Sequence, residues 1–354
     1  MKIHNFSAGP SMLPEEVLKK CSKSILNYNE SKLSILEISH RSEEFFNLYK
    51  NTINKVKKLM GLDNNYEILL LQGGASLQFI MVPYNLIKKK SAYLDTGIWS
   101  SLAIKEAKKF GRVDIIASSK NYKYNRIPKF STNLKNYDYF HITTNNTIFG
   151  TQIQDFSQFD NTILVADMSS DIFSRNINFK KFDLIYASAQ KNIGPAGVVL
   201  VIIKKSLLEL CNKKIPSYLN YNVHVNKNGI FNTPNVFAIY AIYETLTWLE
   251  NIGGISKIEK INNLKSKLIY DEIDRNKCFF GHSMVEFRSN MNATFFMKKG
   301  IKEKKFNFLL KKNNISGLYG HRLIGGYRAS IYNAMPISSI KLLVEIMKEF
   351  ERIS

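Results

Sequence analysis

Cysteine is scarce: three residues, Cys21, Cys211 and Cys278, stand far apart in a chain of 354. An odd, scattered set offers neither a disulfide framework nor a zinc cluster, so no metal is expected and the compartment is expected to be reducing. Long apolar runs are missing too. The longest, Ala196 to Ile203, is of strand length and falls short of the roughly 20 residues that a membrane-spanning helix needs. The opening stretch MKIHNFSAGP has no apolar signal core, and a cytoplasmic protein without membrane contact is expected. Acidic residues are outnumbered, 29 against 50 Lys and Arg, giving a formal charge of +21. Such a surplus attracts phosphate backbones and anionic surfaces whatever their sequence. The lysines are scattered, however, singly or in short runs such as Lys88-Lys89-Lys90, with no aromatic-basic stripe and no recognition-helix motif. Nucleic acid is therefore not the expected partner, and the excess charge suits small anionic substrates.

What is present is ample core material, with 45% hydrophobic residues, enough for one large domain and a smaller one. Apolar runs rich in strand-forming residues recur at 66–71, 91–97, 113–118, 137–143, 161–167, 182–188 and 197–203. Helical patterns lie among them, at about Glu43–Met60 with Gly61 as its stop, from Leu77, and at about 100–110. Strands alternating with helices predict an α/β fold, a mainly parallel sheet covered on both faces, with ligands at the carboxyl ends of the strands. A helix opened by Pro14 runs to about Tyr28, and another from Val236 to about Glu250 is ended by Gly253 and Gly254. From about Lys257 the pattern becomes helix, strands at VEFRS and ATFFM, a helix over 306–313, a strand, and a last helix from Ile337. The expected organisation is an arm over 1–14, a large domain over 15–254 and a small α+β domain over 255–354.

One lysine organises much of this. FDLIYAS ends at Ser188, and Ala189, Gln190, Lys191 and Asn192 follow at the strand's carboxyl end, where Gly194, Pro195 and Gly197 are expected to prevent a helix. Lys191 is thus carried between two buried strands rather than on a solvated surface. Desolvation lowers an amine's pKa and frees its lone pair for a carbonyl carbon. A second residue gives this chemical sense: Asp167 closes NTILVAD, one loop and one strand earlier, at the same predicted sheet edge. Lysine and carboxylate so paired are what pyridoxal 5′-phosphate needs, the first to form an imine and the second to keep the pyridinium nitrogen protonated. Gly73, Gly74, Ala75 and Ser76, between a strand and a helix start, can present backbone N–H groups to a phosphate.

Five segments, NFSAGPSMLP (5–14), ISHRS (38–42), ADMSSDIFSR (166–175), YASAQKNIGPAG (186–197) and GHRLIGGYRASIYNAMP (320–336), resemble the phosphoserine aminotransferases, class V pyridoxal phosphate enzymes of fold-type I. They run in that family's order from one end of the chain nearly to the other. The resemblance implies transfer of an amino group between glutamate and 3-phosphohydroxypyruvate, and the corresponding reaction of the four-carbon 3-hydroxy-2-oxo-4-phosphooxybutanoate. It implies that Lys191 holds the cofactor, supported by Asp167, Gln190, Ala75 and Ser76, with Trp99 stacked on its ring and Thr147 bonded to its phenolic oxygen. Asn232 and Thr233, in IFNTPN, would reach the cofactor phosphate of a partner in a homodimer. Arg328 would take the substrate α-carboxylate, His321 and Arg322 its phosphate, from this subunit or its neighbour, and His40 and Arg41 other anionic groups. Some members of the family have arginine where this chain has Ser76, which cannot supply that charge.

The same residues admit rival readings, another class V pyridoxal phosphate enzyme, whether aminotransferase or desulfurase, being the nearest. Ser188-Ala189-Gln190-Lys191 matches the S-x-x-K of acyl-serine enzymes, but that motif should open a helix and be accompanied by K-T-G, which does not occur here. A desulfurase of the same class would need a cysteine in a catalytic-loop motif, and none of the three lies in one. A basic nucleic-acid-binding protein is the non-enzyme alternative. Retention on immobilised duplex DNA over a salt series separates it: the enzyme reading predicts weak binding, and tight binding with a steep salt slope would favour the alternative.

Overall fold

The computed structural model describes residues 3–159, 162–301 and 303–354. Its central sheet has seven strands: β1 (Tyr66–Leu71), β2 (Lys90–Asp95), β3 (Arg112–Ser118), β4 (Phe140–Thr143), β5 (Leu164–Asp167), β6 (Leu184–Ser188) and β7 (Val199–Lys204). They lie in the order β1-β7-β6-β5-β4-β2-β3. β7 is antiparallel to both neighbours, and all other adjacent pairs are parallel. The link from β6 to β7 is too short for the crossover that a parallel return requires, so the chain doubles back. Every residue of β4, β5 and β6 is buried, as expected of parallel strands covered on both faces. One face packs on a core including Phe45, Val56 and Ile242, the other on Phe79, Val82 and Ile104.

The Glu43–Met60 helix starts and ends where the sequence predicts. Ser42 accepts the Phe45 N–H at its start, and Gly61 closes it at φ 61°. Other boundaries differ. Gly73, at φ 87°, turns the chain so sharply that the next helix begins at Gly74, ahead of the predicted Leu77. After Gly253 a new helix, Gly254–Arg275, starts at once instead of near Lys257. VEFRS is not a strand: Val285–Phe287 is a single 3₁₀ turn that turns Phe287 toward the large core and leaves Val285 exposed, so the two do not share one buried face. Ala189–Asn192 is one turn of α-helix despite the glycines and proline that follow. The start of the strand predicted from Asn161, and the first two residues of the arm, lie outside the described residues.

A second core is built by the Phe279–Gly281, Asn292–Met297 and Tyr327–Ser330 strands and the Ile337–Ile353 helix. The arm joins it. His4–Asn5 pairs in parallel with Ile315–Ser316, and Phe6 is fully buried in this core.

Beneath β4 lies a buried polar stack. His141 is 1% exposed, its ring stacks on Tyr93 at 4.8 Å, and its Nε2 is 2.7 Å from the Tyr186 hydroxyl. Burial pushes its pKa down to about 3, against about 6.5 in an unfolded chain. Between these values the unfolded chain binds the extra proton, so stability is complete above about pH 6.5 and falls as pH drops toward 3, by up to about 1.4 kcal/mol per unit. Urea midpoints measured from pH 7 to pH 4 should lose this one-proton slope in His141→Gln. An unchanged slope would assign the acid sensitivity elsewhere.

Candidate active site

Five parallel strands end at one edge of the sheet, and each hands the chain to a loop that faces the same cavity of about 430 Å³. β1 leads to Gly73–Ser76, β2 to Trp99, β4 to Thr147, β5 ends on Asp167, and β6 leads to Gln190 and Lys191. Ala8 and Gly9 of the arm, with His321 and Arg328 beyond the sheet, complete the wall.

The Lys191 amine donates to the Thr147 hydroxyl at 2.9 Å and lies 5.6 Å from the centre of the Trp99 ring. Burial pulls its pKa down to about 8; Asp167 opposes the shift and the Arg328 charge adds to it. At neutral pH it is therefore mostly protonated but close to release. Asp167 is 5% exposed, and burial raises its carboxyl above the usual range, against the pull of Lys191 and of Ser169. The Ser169 N–H reaches its Oδ1 at 2.9 Å. A buried acid that takes one N–H, with an amine nearby, is suited to a cationic N–H partner in a ligand.

Two buried polar atoms of residues that line the cavity have no hydrogen-bond partner among the described residues. The Nε of Arg328, on the Tyr327–Ser330 strand, and the indole nitrogen of Trp99 are both buried and unbonded. Buried donors of this kind carry a desolvation cost that a ligand acceptor relieves. Burial lowers the Arg328 pKa, and the guanidinium remains the natural seat for a carboxylate. His321 lines the cavity, its Nδ1 accepting the Leu323 N–H at 3.3 Å; burial and then the charges of Arg328 and Arg322 hold its pKa down.

Of the residues singled out in the sequence, Ala75, Ser76, Trp99, Thr147, Asp167, Gln190, Lys191, His321 and Arg328 share this cavity. The other five do not line it. Arg322 is exposed on the turn beside His321; His40 is half-buried and Arg41 exposed, away from the cavity. Asn232 and Thr233 are exposed, and both bond to Gln72, next to the glycine turn. Six lining residues escaped the sequence reading as site residues: Ala8, Gly9, Phe79, Ile148, Ser169 and Ser188. Ser169 was signalled only by its place two residues after Asp167, where an Asx-type N–H contact is common. Phe79 follows Ser76 by three positions on the Gly74–Leu86 helix, and so falls near it. Ser188 was read as a strand end or a nucleophile. Its turn does open a helix, which removes one objection to the S-x-x-K reading, but its hydroxyl accepts the Ala75 N–H at 2.8 Å and joins the glycine turn to β6.

The three cysteines are buried, and none lines the cavity. Burial pushes the Cys21 thiol up to about 11 and the Cys211 thiol up to about 12, the reverse of what a nucleophile needs. Among the described residues no helix is long and apolar enough to cross a membrane, and no group of His, Cys, Asp and Glu could hold a metal ion.

The sequence pattern of the family "Aminotransferase class-V" matches residues 3–343. A phosphoserine aminotransferase of Flavobacterium psychrophilum is 54% identical over 354 residues, covering 99% of each chain. The solved structure of phosphoserine aminotransferase from Bacillus circulans subsp. alkalophilus superposes with a TM-score of 0.96 at 39% identity, covering 99% of each chain. That of the pyridoxal phosphate-bound enzyme from Trichomonas vaginalis gives 0.93 at 34% identity, covering 98% of this chain and all of the other.

In chain freed of small molecules, reductive methylation of Lys191 should be half-maximal near pH 8, whereas solvated lysines respond near about 10.4. Asp167→Asn should move the Lys191 midpoint lower, because the carboxylate favours the ammonium. Peptide mass mapping across pH reads both, and a midpoint shared with surface lysines would contradict the electrostatics described.

Proposed function

Because the chain belongs to the class-V aminotransferase family, and within it to the phosphoserine aminotransferases, we propose that it moves an amino group between glutamate and 3-phosphohydroxypyruvate, giving 2-oxoglutarate and phosphoserine. The observation that carries this reading is the joint presence, in one cavity, of a desolvated lysine, a buried aspartate and an arginine without a partner.

The residues fit pyridoxal 5′-phosphate. That cofactor supplies an aldehyde carbon for an amine and a protonated ring that draws electrons from the substrate's α-carbon. Lys191 would hold it, Asp167 would face its ring nitrogen, and Trp99 offers a flat wall. Gly73 to Ser76, at the start of a 13-residue helix, suit its phosphate. Thr147, already hydrogen-bonded to Lys191, would take its phenolic oxygen, and Gln190 would flank it.

Arg328 binds the substrate's α-carboxylate through its planar fork, which fixes the α-carbon against Lys191. Once the substrate's amine takes its place on the cofactor, the freed Nζ of Lys191 would act as the base at that carbon, and would return the proton on the far side of the transfer. Its depressed pKa keeps a useful fraction unprotonated at neutral pH, while Asp167 keeps its negative charge against the cofactor. Glutamate and the phosphorylated keto acid each carry an α-carboxylate and a second anionic group at the far end, so one cationic site serves both halves of the cycle. His321, Arg322, His40 and Arg41 are the groups we assign to the distal γ-carboxylate and phosphate. The four-carbon 3-hydroxy-2-oxo-4-phosphooxybutanoate carries the same two anions and is part of this reading.

We further propose a homodimer. Asn232 and Thr233 are exposed and outside this chain's own cavity, as residues serving a partner's cofactor phosphate would be. The large domain (15–254), small domain (255–354) and arm (1–14) are the working units, in the cytoplasm.

Lys191→Ala should abolish transamination and leave no borohydride-fixed cofactor on the chain. Arg328→Gln should raise KM for glutamate by about ten- to hundred-fold, the worth of ~1.5–3 kcal/mol for a hydrogen bond to a charge. Steady-state kinetics with glutamate and both keto acids test these roles, and retained turnover in Lys191→Ala would end the assignment.

A further inference from the structure

The turn that carries Lys191 cannot satisfy its own backbone. In an α-helix each carbonyl accepts the N–H four residues on. For Lys191 that position is Pro195, which has no N–H. For Gln190 it is Gly194, whose N–H goes to Ala189 O at 3.0 Å, beside that of Ile193 at 3.1 Å. Two successive carbonyls next to the cavity are thus left over.

Both are taken by one residue from the far end of the chain. The Ser11 N–H donates to Gln190 O at 2.9 Å, and the Ser11 hydroxyl donates to Lys191 O at 2.5 Å. We propose that Ser11 is a positioning residue for Lys191, capping from the arm the carbonyls that the lysine's own turn leaves without partners. The proposal rests on Lys191 being the cofactor-bearing amine.

Ser11 is itself held through the arm residues that precede it. The Tyr332 hydroxyl donates to Ala8 O at 3.0 Å, the Ser330 N–H donates to Phe6 O at 3.3 Å, and His4–Asn5 pairs with Ile315–Ser316. Ser330 is the last residue of the strand that carries Arg328, and Tyr332 lies just beyond the same end. The cap therefore ties the main chain of the lysine to the element that bears the carboxylate-binding arginine, and fixes their separation. Ser11 is not among the residues lining the cavity, so its effect on catalysis passes through the lysine.

The test uses the enzyme loaded with pyridoxal 5′-phosphate. Ser11→Ala keeps the N–H bond to Gln190 and removes the hydroxyl bond to Lys191. Turnover should fall about ten-fold through misplacement of the lysine, while KM for glutamate stays within about two-fold, because Arg328 is untouched. The pH midpoint of the bound cofactor's absorbance should move, amide exchange over 189–194 should quicken, and Ser11→Thr should restore all three. Ser11→Cys, of similar size but a weak donor, should show the same changes to a smaller degree and replaces the alanine variant if that one does not fold. Wild-type turnover and midpoint in Ser11→Ala overturn the proposal. So does slowed turnover with an unmoved midpoint and no rescue by threonine, which marks a purely structural residue. Borohydride labelling keeps the two readings apart: an unlabelled Lys191 in the wild type defeats the functional assignment, whereas a labelled wild type with an indistinguishable variant defeats only the role of Ser11.

Discussion

An ammonium group resists burial unless charge or hydrogen bonds replace its water, and the site is arranged around how incompletely this is done for Lys191. The amine keeps one hydroxyl partner, Thr147, and one nearby carboxylate, Asp167, while Arg328 pushes against it. Full pairing would have fixed the proton in place, and a lone lysine in an apolar wall would have lost it altogether. The intermediate condition needs Thr147, Asp167 and Lys191 held in register, and they sit on β4, β5 and β6 or just beyond them, neighbouring strands paired in parallel.

The same requirement explains how tightly the second core is bound to the sheet edge. The segment carrying Thr147 is clasped from that side: Ser283 donates to Phe149 O and Gly150 O, Thr294 to Ile148 O, and Asn145 to Asn292. Lys265 is fully buried and gives its amine to Tyr332 O at 2.6 Å, burial pushing its pKa down to about 7. Arg328 and Thr147 come from different parts of the chain, yet polar contacts between their neighbours fix both. The geometry points to a site built in advance, where substrate meets donors already aimed.

The sheet and the lysine were legible because their signals are local. Strands buried on both faces read as unbroken apolar runs, and glycine marks the turns that follow them. The end of the Glu43–Met60 helix at Gly61 is of this kind. VEFRS failed because an apolar-polar alternation is a strand only when a neighbour covers it, and Val285 faces solvent. The one-turn helix at Ala189–Asn192 failed for a related reason. Glycine and proline argue against a helix only where its carbonyls must be satisfied from within, and here they are satisfied from residue 11. Ser169, whose hydroxyl accepts the Ser188 N–H, and Ser188, whose hydroxyl accepts the Ala75 N–H, show these roles only through the fold. His40, Arg41, Asn232 and Thr233 were reached through family resemblance alone, and a single chain gives them no common cavity.

The pairing of His4–Asn5 with Ile315–Ser316 also bears on synthesis. The arm leaves the ribosome long before the segment it must dock against, so it waits, unplaced, while the sheet strands between them are made. The lysine turn stays uncapped for that interval, with its strands already able to pair. A nascent chain can thus assemble the sheet yet lack a settled reactive amine until Ile315–Ser316 have emerged to hold the arm.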